Sequence, residues 1–232
     1  MASRTLVLGD IHGCLTALEA ILSAVDAGPG DTLVVLGDMI DRGPDSFGVI
    51  EKLLSFKTVG NLVSLRGNHE IMMIQAMNTG SDEAWIRSGG YSTLKSFGHR
   101  GKGPWRETVP SDFELFLRND CVDYWENDEF VMTHAGLEAG LPLSDQPEST
   151  LFWSRLETAP LAHFSGKISI HGHSIMPDFQ PWAWPHAWYL DTGAYLADGW
   201  LTCVEIQSRQ IWQANQKGLI RPGVWTYPLD HR

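Results

Sequence analysis

Between Thr5 and Glu70 the chain writes one local pattern three times: a β-rich apolar run, a polar loop that contains glycine, then apolar residues at helical spacing. TLVL at residues 5–8 runs into GDIHG at 9–13, TLVVL at 32–36 into GDMIDRG at 37–43, and LVSL at 62–65 into RGNHE at 66–70. Strands that alternate with helices favour parallel pairing, because a helical crossover returns the chain to the start of the next strand. Ligands in such sheets gather at the C-terminal ends of the strands, so the three polar loops are predicted to converge on one edge. After the first loop, Leu15, Leu18, Ile21, Leu22 and Val25 mark a helix that Gly28-Pro29-Gly30 stops. After the second, Val49, Ile50, Leu53 and Leu54 mark another.

The strand-then-loop pattern returns at residues 129–133 before His134, 167–170 before His171-Gly172-His173, and 187–190 before Asp191-Thr192-Gly193. Residues 201–207 and 210–214, around Ser208-Arg209, read as an antiparallel hairpin. Residues 80–120 are rich in Gly, Ser and aromatics, and are expected to form a helical lobe beside the site. No linker breaks the chain, and 232 residues suit a single domain over 1–232.

A formal net charge of -11 argues against wholesale binding to a nucleic-acid backbone, which runs on counterion displacement by Lys and Arg, although a local basic pocket is compatible with it. Cys14, Cys121 and Cys203 are too scattered for a CxxC metal site or a disulfide framework and read as reduced thiols. The first apolar run is too short for a signal peptide, and no stretch is long enough to span a membrane. The expectation is a cytoplasmic monomer.

Asp10, His12, Asp38, Asn68, His134 and His173 each follow a predicted strand. Carboxylate, imidazole and carboxamide donors together suit divalent manganese, iron or zinc, and the scarcity of thiolates argues against a soft-metal site. One such loop is weak evidence, since Gly-Asp is a common turn dipeptide. GDIHG, GDMIDRG, GNHE, THAG and HGHS in this order are a different matter.

With those motifs and the later LDTGA, the chain resembles the calcineurin-like metallophosphoesterases over roughly residues 6–194. Within them it is similar to the phosphoprotein phosphatases, which include bacterial and lambda-type Ser/Thr phosphatases. The resemblance implies an α/β fold, a β-sandwich flanked by helices, with a dinuclear metal site at the strand C-terminal ends. It implies that Asp10 and His12 bind one ion, that Asn68, His134 and His173 bind the other, and that Asp38 bridges both. Manganese is the expected ion, with iron or zinc as alternatives. The implied reaction is hydrolysis of phosphoserine or phosphothreonine esters, with phosphotyrosine as a further substrate, by direct attack of a metal-bridging hydroxide. Two cations lower the pKa of the water between them and brace the phosphate for in-line attack.

The resemblance also makes His69 the general acid, with Asp41 orienting its imidazole, and has Arg42 and Arg155 grip the phosphate. Arg66, beside Asn68, has two readings: a third phosphate contact, or an ion pair bracing the loops. Partners are then a phosphorylated protein or peptide, or a small phosphate ester. A symmetrical dinucleoside tetraphosphate hydrolase is the alternative on the same metal site, and an inactive phosphoprotein-binding scaffold is an alternative of another class. The dinucleotide hydrolases tend to carry Ala in place of Asp41 and Asp in place of Glu70, so both positions side with the protein phosphatases. The complete ligand set and His69 weigh against the scaffold. Trp182, Trp184 and Trp188 read either as an aromatic wall for a peptide or base, or as hydrophobic filling at a strand entrance. His171 is expected to pack, His99, His163, His186 and His231 to be ordinary, and Cys14 to lack an activating neighbour.

Overall fold

A computed structural model describes residues 3–227, so His231 lies outside the described residues. The three repeats become β1 (Thr5–Leu8), α1 (Leu15–Ala24), β2 (Thr32–Val35), α2 (Ser46–Lys57), β3 (Asn61–Leu65) and α3 (Asn68–Thr79). Strands β1, β2 and β3 pair in parallel, with Leu8 opposite Val35 and Val35 opposite Ser64, so their loops leave from one edge as the pattern predicts. Four buried residues in β1 and three in β2 show why these strands read as continuous apolar runs: both faces of the sheet are covered. Asp45 caps α2 by accepting the Gly48 N–H at 2.8 Å, a contact typically worth about 1 kcal/mol.

Two more sets of strands complete the architecture. Strand β4 (Cys121–Val122) continues the parallel row, while β10 (Leu201–Glu205), β11 (Gln210–Ala214) and β12 (Ile220–Pro222) extend the same sheet antiparallel from β1. The order is β12-β11-β10-β1-β2-β3-β4. The second sheet, in the order β5-β6-β7-β9-β8, is built from β5 (Tyr124–Glu126), β6 (Phe130–Thr133), β7 (Ile168–His171), β8 (Trp182–Trp184) and β9 (Ala187–Tyr189). Val7, Val34, Leu36, Leu65 and Val204 of the first sheet meet Phe130, Met132, Ile170, Trp188 and Leu190 of the second. On its other face the first sheet carries the helices, with Leu6, Leu8, Leu33 and Val35 against Leu18, Ile21, Ile50, Leu53 and Met73. This is the expected helix-flanked β-sandwich.

The predicted strands are found within a residue or two of their expected ends, and residues 201–205 and 210–214 form the expected hairpin. Strands β4, β5, β8 and β12 were not foreseen, because each is two or three residues long and carries too few alternations to read. Residues 80–120 supply the lobe: Glu83–Trp85, Ile86–Gly90 and Tyr91–Ser96 form a broken helical run that kinks at Gly89 (φ 118°). The tryptophan group is divided by the strand's alternation. Trp188 fills the space between the sheets, whereas Trp182 and Trp184 pack half-buried with Tyr189 on the outer face of the second sheet. No helix among the described residues is long and apolar enough to cross a membrane.

Candidate metal centre

The loops that follow β1, β2 and β7 have backbone that is bent hard. Among the described residues eight non-glycine residues have positive φ, and five of them are His12, Asp38, Asp41, Arg42 and His173. Such conformations cost free energy and persist where the surroundings over-determine them, so their gathering at one place marks a built site. Glycine makes the approach possible. Gly37 has φ 100°, and a Cβ there would press on the Gly67 backbone and the His134 ring, while a Cβ on Gly172 would overlap the Asp10 carboxylate.

Among the described residues two triads of donor atoms result, His12–Asp38–His69 and Asp38–His134–His173, both buried and sharing Asp38. The Asp38 carboxylate lies 3.5 Å from His12 Nε2 through one oxygen and 3.5 Å from His134 Nε2 through the other. His12 Nδ1 donates to the Ile40 carbonyl at 2.9 Å and His134 Nδ1 to the Leu36 carbonyl at 2.7 Å, which leaves each Nε2 with its lone pair turned inward. The His134 lone pair then faces Asn68 Oδ1 at 3.1 Å. Two lone pairs held face to face in a buried place fit a cation between them. The donor set fits divalent manganese, iron or zinc, all of which take mixed imidazole and oxygen ligands. Asp10 stands outside the tight triads, with its carboxylate accepting the His173 N–H at 3.1 Å.

Glu70 explains how the loops hold register. Its carboxylate accepts the N–H groups of Gly67 (2.8 Å), Asp38 (2.9 Å) and Met39 (2.9 Å), tying the loop after β2 to the start of α3. The His69 N–H in turn donates to Asp38 at 3.0 Å. An aspartate at position 70 would be one methylene too short to keep all of these.

His69 is fully buried, and its Nδ1 meets Asp41 Oδ2 at 2.7 Å. Its Nε2 has no hydrogen-bond partner among the described residues and lies 3.9 Å from Asp38. Asp41 is held in turn by the lobe: Trp85 Nε1 donates to Oδ2 at 2.9 Å and Thr93 Oγ1 to Oδ1 at 2.6 Å. Neither Trp85 nor Thr93 was foreseen from sequence. Burial lowers the pKa of His69, but the charge of Asp38 and the hydrogen bond that His69 donates to Asp41 outweigh it and hold the imidazole above its ordinary value.

Electrostatics elsewhere in the cluster follow the same logic. Burial would raise the Asp38 carboxyl, yet four histidines, His134 first, keep it well below the usual carboxylate range. Burial and then the neighbouring Asp191 and Asp38 charges push Asp10 well up. Burial presses His173 down to about 3, which leaves it a neutral donor.

Arg42 reaches into the centre, with Nη1 2.9 Å from His12 Nε2 and its guanidinium over the Tyr195 ring at 4.7 Å. Tyr195, which also meets His12 edge-on at 5.0 Å, is a second neighbour that sequence reasoning missed. It follows the LDTGA motif directly, and that adjacency is the one signal that could have pointed to it. Arg155 stands at the rim, donating to the His173 carbonyl at 3.3 Å. Arg66 is not brought into the cluster: it pairs with Asp123 and donates to the Cys121 carbonyl at 2.9 Å, the bracing alternative among its two readings. His171 packs, its Nδ1 2.9 Å from Thr133 Oγ1. The three cysteines are buried, and burial pushes the Cys14 thiol up to about 12, so it is no nucleophile.

A family model of calcineurin-like phosphoesterases matches residues 3–194. A serine/threonine-protein phosphatase 1 of Salmonella typhimurium is 40% identical over 216 residues, covering 87% of this chain and 91% of that one. A symmetrical bis(5'-nucleosyl)-tetraphosphatase of Edwardsiella ictaluri is 41% identical over 71 residues, covering 30% of this chain and 25% of that one. In fold the chain is similar to a crystal structure described as that of a candidate diadenosine tetraphosphatase, with a TM-score of 0.68, 22% identity and coverage of 96% of this chain and 97% of that one.

Proposed function

The chain belongs to the calcineurin-like phosphoesterases, metal-dependent hydrolases, and from that membership we propose that it is, as a single domain, a two-cation phosphomonoesterase acting on phosphoserine and phosphothreonine esters. The observation that carries this reading is the His69–Asp41 pair at 2.7 Å beside the shared Asp38 carboxylate. Divalent cations, when bound, supply an acidified water as nucleophile and positive charge against the phosphoryl oxygens. Manganese is our choice, and iron or zinc fit the same donors.

Asp10 and His12 would hold one cation, Asn68, His134 and His173 the other, and Asp38 would serve both. Arg42 and Arg155 take the phosphoryl oxygens, where charge develops in the transition state. As the phosphorus–oxygen bond to the leaving group breaks, His69 Nε2 gives that oxygen its proton. Asp41 keeps Nδ1–H facing away from the substrate and stabilises the charged imidazole beforehand. His69 Nε2 also lies among atoms that could hold an ion. Its Asp41 partner supports the acid reading, since a carboxylate on Nδ1 favours the protonated ring.

Protein phosphoesters are favoured over dinucleotides by Asp41 and Glu70, whose contacts an alanine and an aspartate would lose. The extent of likeness to the Salmonella phosphatase supports the same choice. We place the enzyme in the cytoplasm, as a monomer, with phosphorylated proteins, peptides or small phosphate esters as partners. Assaying the manganese-loaded enzyme in parallel on phosphoserine peptides and on diadenosine tetraphosphate tests the substrate class. The expected outcome is a higher kcat/KM on the peptides, and a clear reversal would move the activity to dinucleotide hydrolysis.

A further inference from the structure

Asp191 has no part in the reaction as derived above, yet among the described residues it is the carboxylate whose surroundings explain it least. It follows β9, is 1% exposed, and uses Oδ1 to accept the Gly193 N–H at 2.9 Å. Oδ2 is buried and has no hydrogen-bond partner among the described residues. The ends of β1 and β9 press together at this point, so tightly that a Cβ on Gly9 would overlap the Leu190 carbonyl. That contact sets Asp191 beside the loop that carries Asp10, with its carboxyl within the field of Asp38. Arg42 sends charge toward both Asp10 and Asp191 but spends its hydrogen bond on His12.

Carboxylates crowded in a dry place need either a proton or a cation between them. We propose that Asp191 Oδ2 helps hold the divalent cation bound by Asp10 and His12, giving that half of the centre three carboxylates, Asp10, Asp38 and Asp191. The inference rests on the two-cation reading. It makes the halves chemically unequal. The half at His134 and His173 is rich in imidazole nitrogen, whereas the half at Asp10 is rich in charged oxygen and takes a harder cation such as manganese or magnesium.

The test is a manganese titration of metal-free full-length protein, followed by calorimetry and by the spin-resonance signal of free Mn2+, for wild type and Asp191→Asn. Asparagine has the shape of a protonated aspartate and can donate to Asp10, so a proton-sharing role would survive this change. A cation-holding role would not. Wild type is expected to bind two ions. In Asp191→Asn one ion should bind as before and the other about 10–100-fold more weakly. Manganese should also raise the melting temperature of the variant less than that of wild type. Should Asp191→Asn fail to fold, Asp191→Ser, which removes the carboxylate without adding an amide, is held to the same criterion. Two ions bound with wild-type affinity by the variant would overturn the inference and leave the two-cation reading standing. Fewer than two ions in wild type would overturn both.

Discussion

Residues 9–13, 37–43 and 67–70 bring polar atoms to the centre by ending strands of one sheet, whereas residues 83–96 bring polar atoms to the same place from a lobe outside it. The loop side has strained backbone at His12, Asp38, Asp41 and Arg42, and lone pairs that face one another. On the lobe side the backbone is mostly helical, and Trp85 and Thr93 make ordinary donor–acceptor pairs with Asp41. The difference separates two tasks. Strand ends concentrate imidazole and oxygen donors turned toward one another, and the lobe fixes the direction of one carboxylate, that of Asp41. Asp41, on a loop but gripped by the lobe, is where the tasks join.

The most damaging change should fall on the loop side. Asp38→Asn should lose both cations and nearly all turnover, whereas His12→Ala should chiefly weaken one cation. Elemental analysis beside a turnover assay decides this, and an Asp38→Asn protein that keeps two tight ions would erase the distinction between bridging and single ligands. Next come the phosphate contacts. Arg42→Ala and Arg155→Ala should each lower kcat/KM by about 10–1000-fold with metal content intact, and inorganic phosphate should inhibit both less. Unchanged phosphate inhibition in both would take the arginines out of the site.

Smaller effects should come from the lobe. Trp85→Phe keeps most of the packing against Trp105 but removes the donor to Asp41, and Thr93→Val removes the other. Each should cost a fraction of the about 10²–10⁴-fold that a general acid contributes, visible on phosphoserine or phenyl phosphate and nearly absent on p-nitrophenyl phosphate. Metal binding should not change. An equal loss on all esters would mean that the lobe acts on the cations after all. The smallest effect is expected at Trp182, half-buried on the outer face of the second sheet. Trp182→Ala should lower stability by about 1–3 kcal/mol, read from denaturant melts, and leave kcat/KM on peptides within about 2-fold. A selective loss on diadenosine tetraphosphate would restore the aromatic wall.

The same contrast governs what could be read in advance. The strand-end loops are legible because a short Gly-containing turn after an apolar run fixes where its polar residue must emerge. Trp85 and Thr93 reach Asp41 across 44 and 52 residues of chain, through a lobe whose kinked helical run carries no clean period, so nothing local announces them. Arg66 shows a related limit. Its neighbours Gly67 and Asn68 belong to the motif, but its own backbone pairs with Val122 of β4, and from there the side chain reaches Asp123. Strand β4, at two residues, was too short to foresee. The tryptophans divide for the opposite reason: alternation along β8 and β9 decides which face each meets, and the sequence displays that alternation only once those strands are known.

Leaving-group dependence in His69→Asn tests the division of labour most directly. Wild type, His69→Asn and Asp41→Asn would be assayed across aryl phosphates of rising leaving-group pKa, under conditions where chemistry limits kcat, with metal content measured on the same samples. If His69 Nε2 protonates the departing oxygen, His69→Asn keeps two cations and part of its rate on p-nitrophenyl phosphate, but falls much further on phenyl phosphate. Asp41→Asn follows the same trend more weakly, since it disturbs the imidazole without deleting it. A dependence in His69→Asn no steeper than in wild type, or the loss of a cation with the imidazole, would contradict the account and make His69 a ligand or a structural residue.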